Sequence, residues 1–359
     1  MRIKVFCIIF LLLPAMVCAQ ENYNLRHREM ERALNSLKPK RRSILLESKK
    51  FFRQANRQRI IEETLRNIAI EISLDYFLAR GDQIFEVVDS IGRKISRLHY
   101  SQKGNMFIFN AEIRLHPRFS VGGSYGSSRF RHTVSTDTDW LPALLPDIYN
   151  ESNSSCKPAV DNFNIKLYYR LLDLKDISAS DDIKEYLRIK TFDKFSLDIF
   201  TGYQHQKGRY RTTDLVDTVE NWTRVTDGAI AGEDSFYKIR YQGPCLGFRG
   251  SALFNNWIST RLSFAYTWLD TKAYGWWNLR NYSFWEKGQN GRGLDFNLEI
   301  LLHLTQHWFF GTGYNYRYFK QEKMTESGLE EGVRYTDLDI IRNANHKLYG
   351  PAFKLGCIW

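Results

Sequence analysis

From residue 258 to residue 268 the chain alternates apolar and polar positions without a break. Ile258, Thr260, Leu262, Phe264, Tyr266 and Trp268 share one face, and Ser259, Arg261, Ser263, Ala265 and Thr267 share the other. The run from 308 to 318 repeats the pattern, with Trp308, Phe310, Thr312, Tyr314, Tyr316 and Tyr318 backed by Gly311, Gly313, Asn315 and Arg317. Period two is the period of a β-strand, because successive side chains leave a pleated chain on opposite sides. An aromatic-rich apolar face backed by a polar one predicts strands with lipid on one side and a polar lumen on the other. Backbone groups in hydrocarbon are satisfied by strands only when the sheet closes on itself, so the pattern predicts a barrel.

The alternation starts at Ile68, Ile70, Ile72, Leu74 and Tyr76, opposed by Ala69, Glu71, Ser73 and Asp75, and recurs to the C-terminus. It predicts an all-β fold, a ten-stranded antiparallel transmembrane barrel over 68–359. The strands fall at 68–88, 94–116, 118–131, 158–172, 194–213, 234–254, 258–273, 288–305, 307–323 and 344–359. Several exceed the roughly 9 to 11 residues that cross a bilayer, so the sheet should project beyond it on one side. Tight joins at His116-Pro117, Asn255-Asn256 and Gln306 alternate with long ones at 132–157, 214–233, 274–287 and 324–343. Barrels of this kind keep short turns in the periplasm and long loops outside, which places the protein in a bacterial outer membrane with its long loops extracellular. The charged stretch 173–193 interrupts the scheme at a short-turn end and is expected to hold a short helix. Glu71, Asp75, Glu112, Arg114, Arg261, Asp295, Glu299 and Arg317 fall on the inward face and are expected to pair, since an unpaired buried charge is costly.

Composition adds the compartment. Met1, Arg2 and Lys4 precede an apolar run through Leu13, and Val17-Cys18-Ala19 supplies small residues for cleavage, so 1–19 reads as a signal peptide. Residues 20–67 form a basic segment predicted as a helical periplasmic extension, which holds much of the net charge of +11. A basic run on an exported chain favours a solvated helix or anionic headgroups over nucleic acid. The mean hydropathy of −0.43 is no objection to membrane residence, because half of each strand faces a polar interior. Cys156, Cys245 and Cys357 follow the leader without metal-type spacing, so neither a disulfide framework nor a metal site is expected, and Cys357 reads as a small lipid-facing residue beside Phe353, Leu355 and Trp359.

The candidate chemistry lies in Thr136-Asp137-Thr138-Asp139-Trp140, where an upward strand meets an outer loop. In extended backbone Asp137 and Asp139 share a face, and two neighbouring carboxylates can orient a water and share a proton. The chain from Ile68 to Trp359 resembles the omptin family of outer-membrane proteases. The resemblance rests on Ile72-Ser73-Leu74, Gly92-Arg93-Lys94-Ile95-Ser96, Phe119-Ser120-Val121-Gly122, Asp137-Thr138-Asp139-Trp140, Asn164-Ile165-Lys166, Gly202-Tyr203-Gln204 and Tyr237-Lys238-Ile239-Arg240, in that order. It implies a ten-stranded barrel whose rim sets an Asp-x-Asp pair opposite an Asp-x-His dyad that activates water, with cleavage between basic residues. Asp137 and Asp139 match the pair. The dyad positions hold Gly275 and Trp277, so the His and its Asp are absent.

The resemblance also implies a lipopolysaccharide site on the outer wall. Tyr203, His205, Lys207 and Arg240 fall on its positions, and Arg292 lies one residue from another. Lipopolysaccharide would then be a partner and an activating lipid, with no other cofactor. The residues leave other readings open beside the endopeptidase. One is an adhesin or structural barrel contacting a host surface protein through Tyr274, Trp276, Trp277, Tyr282, Phe284 and Trp285; the other is a narrow porin.

Overall fold

The computed structural model describes residues 69–89, 91–131, 133–140, 148–174, 194–220, 223–224, 230–254 and 257–359. The leader, the basic extension and the insertion from residue 175 onward lie outside the described residues, as does the Asn255-Asn256 join. Twelve strands occur among the described residues: β1 (Ala69–Val88), β2 (Lys94–His116), β3 (Phe119–Phe130), β4 (Thr133–Trp140), β5 (Ile148–Asp173), β6 (Lys194–Glu220), β7 (Thr223–Arg224), β8 (Ile230–Leu253), β9 (Ile258–Trp277), β10 (Tyr282–His303), β11 (Trp308–Glu330) and β12 (Val333–Ile358). All pair antiparallel in one sheet, and β12 returns to β1 with Cys357 opposite Ile72 and Ala344 opposite Phe85, so the sheet closes. β3 and β4 follow each other along a single position between β2 and β5, while β7 pairs with β6 at its end. The ring therefore has the ten positions that the alternation predicts.

The differences from expectation lie at the long-loop end. The spans 274–287 and 324–343 are mostly strand: a 3-10 turn at Asn278–Arg280 joins β9 to β10, and Glu331 and Gly332 join β11 to β12. Glu331 and Gly332 have φ of 48° and 86°, the left-handed pair that a tight hairpin demands. The Asp137–Asp139 segment, expected at the edge of a loop, is part of β4. Beyond the membrane the outer face has no need to be apolar, so the alternation that marks a strand fades while the strand continues.

Outward Leu74, Phe109, Ile165, Leu246, Leu298 and Phe310 stay exposed, bordered by Trp257, Trp308 and Trp359 at the short-turn end and by Tyr203 and Trp268 at the other. That is an apolar band between aromatic girdles, the surface a bilayer requires. Cys357 has outward parity but is only 6% exposed. It is covered because it sits between Ile72 and Trp308 on the neighbouring strands.

The lumen is filled in layers. Near the short-turn end Arg261 donates to both oxygens of Glu71 at 2.8 and 3.0 Å, and Lys354 donates to Glu299 and reaches Asp75 at 3.6 Å. Arg249 spans Asp198 at 2.8 Å and Glu112 at 3.0 Å, its guanidinium 3.9 Å from the Tyr168 ring centroid. Arg317 donates to Asp295 at 2.5 Å, and Arg114 lines the lumen near Glu112. The predicted inward charges are thus in place, with Asp198, Arg249 and Lys354 completing the pairs. Above them Phe77, Met106, Val160 and Leu348 close one apolar layer, and Phe85, Tyr100, Tyr210, Tyr237, Tyr241 and Phe319 close a second. The buried phenols are satisfied inside this plug, as where Gln102 donates to the Tyr210 oxygen at 2.7 Å and Gln83 to the Tyr241 oxygen at 2.9 Å.

Candidate functional site

Above the plug the barrel opens into a cleft. On β4 the alternation turns Ser135, Asp137 and Asp139 to the same side, and pairing sets Asp137 beside Leu98 and Ser152, and Asp139 beside Ser96 and Asn150. The Ser96 hydroxyl lies 3.5 Å from Oδ1 of Asp137. Both aspartates line two adjoining cavities of about 310 and 290 Å³. The first is also walled by Asp217, Glu220 and Glu233, the second by Glu286, Glu326, Glu330 and Arg342. A chain of net charge +11 therefore has an acidic mouth.

The positions expected for the Asp-x-His dyad face this cleft, and their replacement has a steric logic. Gly275 lies opposite Phe284 on β10, and a Cβ there would come within 2.1 Å of the Phe284 ring. Trp277 packs edge-on against Phe284 at 5.4 Å and against Tyr282 at 5.6 Å. An aromatic plate thus fills the space of the missing pair. Of the aromatic loop singled out from sequence, Trp277, Tyr282 and Phe284 turn inward to this plate. Tyr274, Trp276 and Trp285 turn outward, where Phe236 packs on Tyr274 at 5.5 Å and on Trp276 at 6.0 Å.

Beside the plate lies a second carboxylate pair that carries no sequence motif. Glu286 and Glu326 oppose each other across β10 and β11, and each is 4% exposed. The Tyr237 hydroxyl donates to Oε2 of Glu286 and the Tyr282 hydroxyl to Oε1 of Glu326. Arg342 on β12 donates from Nη2 to Oε1 of Glu326 at 3.1 Å, forms an ion pair with it in which Nε lies 2.8 Å from Oε2, and stands 4.0 Å from Glu286. Burial, and then repulsion from Glu326, push the Glu286 carboxyl up to about 7, with Tyr237 and Arg342 offsetting only part of the rise. These residues lie well above the Trp268 girdle, since Trp268 pairs with Arg292, six positions before which stands Glu286.

On the outer wall, Lys207 stands directly opposite Arg240, with Tyr203 and His205 on the same strand as Lys207. Arg240 is opposite Lys272, and Lys272 is opposite Lys287, which extends the predicted set into a row of four cations across β6, β8, β9 and β10. Arg292 stands lower, 3.6 Å from Glu322. Like charges directly opposite one another destabilise a sheet unless anions neutralise them, so the row calls for negative groups at the upper membrane edge. Reversal of Lys272 and Lys287 to glutamate is expected to weaken binding to vesicles containing lipopolysaccharide by about thirtyfold or more, at roughly 1 kcal/mol for each cation lost, in a flotation assay. Equal flotation of variant and parent would exclude the row from lipid binding.

Comparisons with protein-family models and with curated proteins give no match to this sequence. Solved structures do match. The outer membrane protease OmpT from Escherichia coli superposes with a TM-score of 0.69 over 81% of this chain and 97% of its own, at 13% sequence identity. The translocator domain of the autotransporter NalP from Neisseria meningitidis covers 87% of this chain and 96% of its own, with a TM-score of 0.31 and 9% identity. At 13% identity the first likeness is one of fold, and it defines the class: an outer-membrane β-barrel.

Proposed function

We propose that this barrel lies in a bacterial outer membrane with its cleft facing outward, set among lipopolysaccharide by the cationic row, and that the cleft takes up extended basic segments of peptides or surface proteins. The observation that carries this is the mouth itself, where Asp137 and Asp139 face Glu286, Glu326 and Glu330 across one cavity. Among the described residues, five carboxylates there face one cation, Arg342, and a cleft with such an excess of one sign above a low-dielectric plug focuses its field and concentrates the opposite charge. The outward placing of the cleft is supported by the turns, since short turns belong at the periplasmic end. The two-layer plug speaks against a porin, for it occupies the lumen between the cleft and the polar network below. The omptin resemblance supplies the substrate class, and the retained Asp137–Asp139 pair agrees with it.

Binding is the test. A fluorescent peptide with an Arg-Arg core should bind the refolded barrel with an affinity that falls as salt rises, while an acidic peptide of equal length should not bind. Asp137→Asn with Asp139→Asn should weaken the basic peptide by about tenfold, on the order of one lost charged hydrogen bond. Equal binding of basic and acidic peptides would sink the reading.

A further inference from the structure

The mouth holds two carboxylate pairs, and only one of them belongs to the pattern that the omptin resemblance implies. Glu286 and Glu326 come from different strands and meet only through the register of β10 and β11. They lie in the same cavity as Asp137 and Asp139. We propose that Glu286 and Glu326 act as a one-proton acid–base pair that activates water for peptide hydrolysis, in place of the absent Asp-x-His dyad; this rests on the peptide-binding reading of the same cleft.

The geometry supplies what such a pair needs. Each carboxyl is oriented by a phenol, Glu286 by Tyr237 from β8 and Glu326 by Tyr282 from β10. Among the described residues, Arg342 from β12 is the cation within ion-pair range of both, closer to Glu326 than to Glu286. Asp137 and Asp139 from β4 and Glu330 from β11 complete the charged groups facing the cavity. Two carboxylates beside a single guanidinium in a buried setting hold a proton between them, because full ionisation leaves an uncompensated charge. The elevated Glu286 carboxyl agrees, and puts loss of that proton near neutrality, where an acid–base group works best. Interacting carboxyls titrate as a unit, so the pair, rather than either residue, sets the profile.

The reaction balances on these groups. The ionised carboxylate takes a proton from water as the water oxygen bonds to the peptide carbonyl carbon, and the neutral carboxyl gives its proton to the carbonyl oxygen. The C–N bond then breaks, the leaving nitrogen takes the proton gained from water, and the carbonyl reforms as its hydroxyl proton returns to the pair. Peptide and water yield an acid and an amine with no change of oxidation state. Asp137 and Asp139, on the facing wall, orient the water.

The experiment uses the full mature barrel refolded in detergent with lipopolysaccharide, and a quenched peptide containing an Arg-Arg bond, with rates measured from about pH 4 to about pH 9 beside anisotropy binding of the same sequence. The parent should cleave along a bell-shaped profile. E286Q and E326Q should each lose about a hundredfold or more in kcat with KM changed by less than about threefold, and E286D should recover part of the rate. Y237F removes a donor that favours the ionised Glu286, so its acid limb should move to higher pH, which a merely structural tyrosine would not cause. Peptide bound but uncut by the parent at every pH would overturn the proposal and leave the binding reading standing, whereas absence of peptide binding would overturn the binding reading itself. Parent-like cleavage by folded E286Q would also overturn it; should E286Q fail to fold, an unshifted Y237F profile is decisive against the pair.

Discussion

Replacing Arg249 with methionine should cost the barrel about 3 to 5 kcal/mol, the range for breaking a buried ion pair from one side. Arg249 holds Asp198 and Glu112 together near the centre of the lumen, with its plane against Tyr168. Its side chain is 9% exposed, that of Asp198 3% and that of Glu112 18%, so Asp198 has no ready access to bulk water once the guanidinium is gone and Glu112 has only partial access. Arg170 would remain on Asp198 at 3.0 Å, whereas Glu112 would keep the hydroxyl of Ser120 at 2.7 Å and the more distant charge of Arg261. The urea midpoint, followed by the gel shift that separates folded from unfolded barrels, should fall sharply. It should recover when Glu112→Gln and Asp198→Asn are added, because the cost lies in the stranded charges. By contrast Arg211→Met, which breaks a bond to Asp234 with side chains 62% and 50% exposed, should hardly move it. A midpoint as insensitive to Arg249 as to Arg211 would show that lumen water carries these charges unaided.

Placing aspartate at Gly275, the most direct attempt to rebuild the missing dyad, should destabilise the folded mouth by about 1 to 3 kcal/mol, the range for overpacking. The added Cβ would meet the Phe284 ring at 2.1 Å, and the new carboxylate would stand on β9 two residues from Ala273, the position opposite Glu286. Both strain and repulsion act against it. Gly275→Asp with Trp277→His should therefore melt early, and a further Phe284→Leu, which removes the clashing ring but keeps most of the apolar volume, should return the midpoint toward the parent. Should the double variant melt like the parent, Phe284 moves aside freely and the aromatic plate is no barrier to the dyad.

How far the sequence foretold these features depends on whether lipid faces the strand. From Ile258 to Trp268, one face in hydrocarbon and the other in a charged lumen leave a pattern that fixes strand, face and register direction together. The expected limits of 94–116 coincide with β2. Past the girdle the outward face takes cations such as Lys287 as well as rings, so the end of β9 after residue 273 and the start of β10 read as loop. The aspartate pair was legible because its spacing is local. Glu286 and Glu326 were not, since forty residues and a hairpin register separate them, and inward parity with Phe284 and Tyr282 was the sole hint. The cationic row was half legible: Lys207 and Arg240 came from resemblance, Lys272 and Lys287 only from cross-strand pairing.

The aromatic plug also partitions the molecule into two regions whose substitutions act separately. The lumen ion pairs of Arg249, Arg261 and Lys354 lie below it, and the groups facing the cleft lie above it, with packed rings between. Free-energy changes at sites without shared partners add. Substitutions at the rim can therefore accumulate while the barrel that inserts in the membrane is left intact. A mouth free to drift on a wall that is not is the arrangement from which one scaffold acquires new surface chemistry.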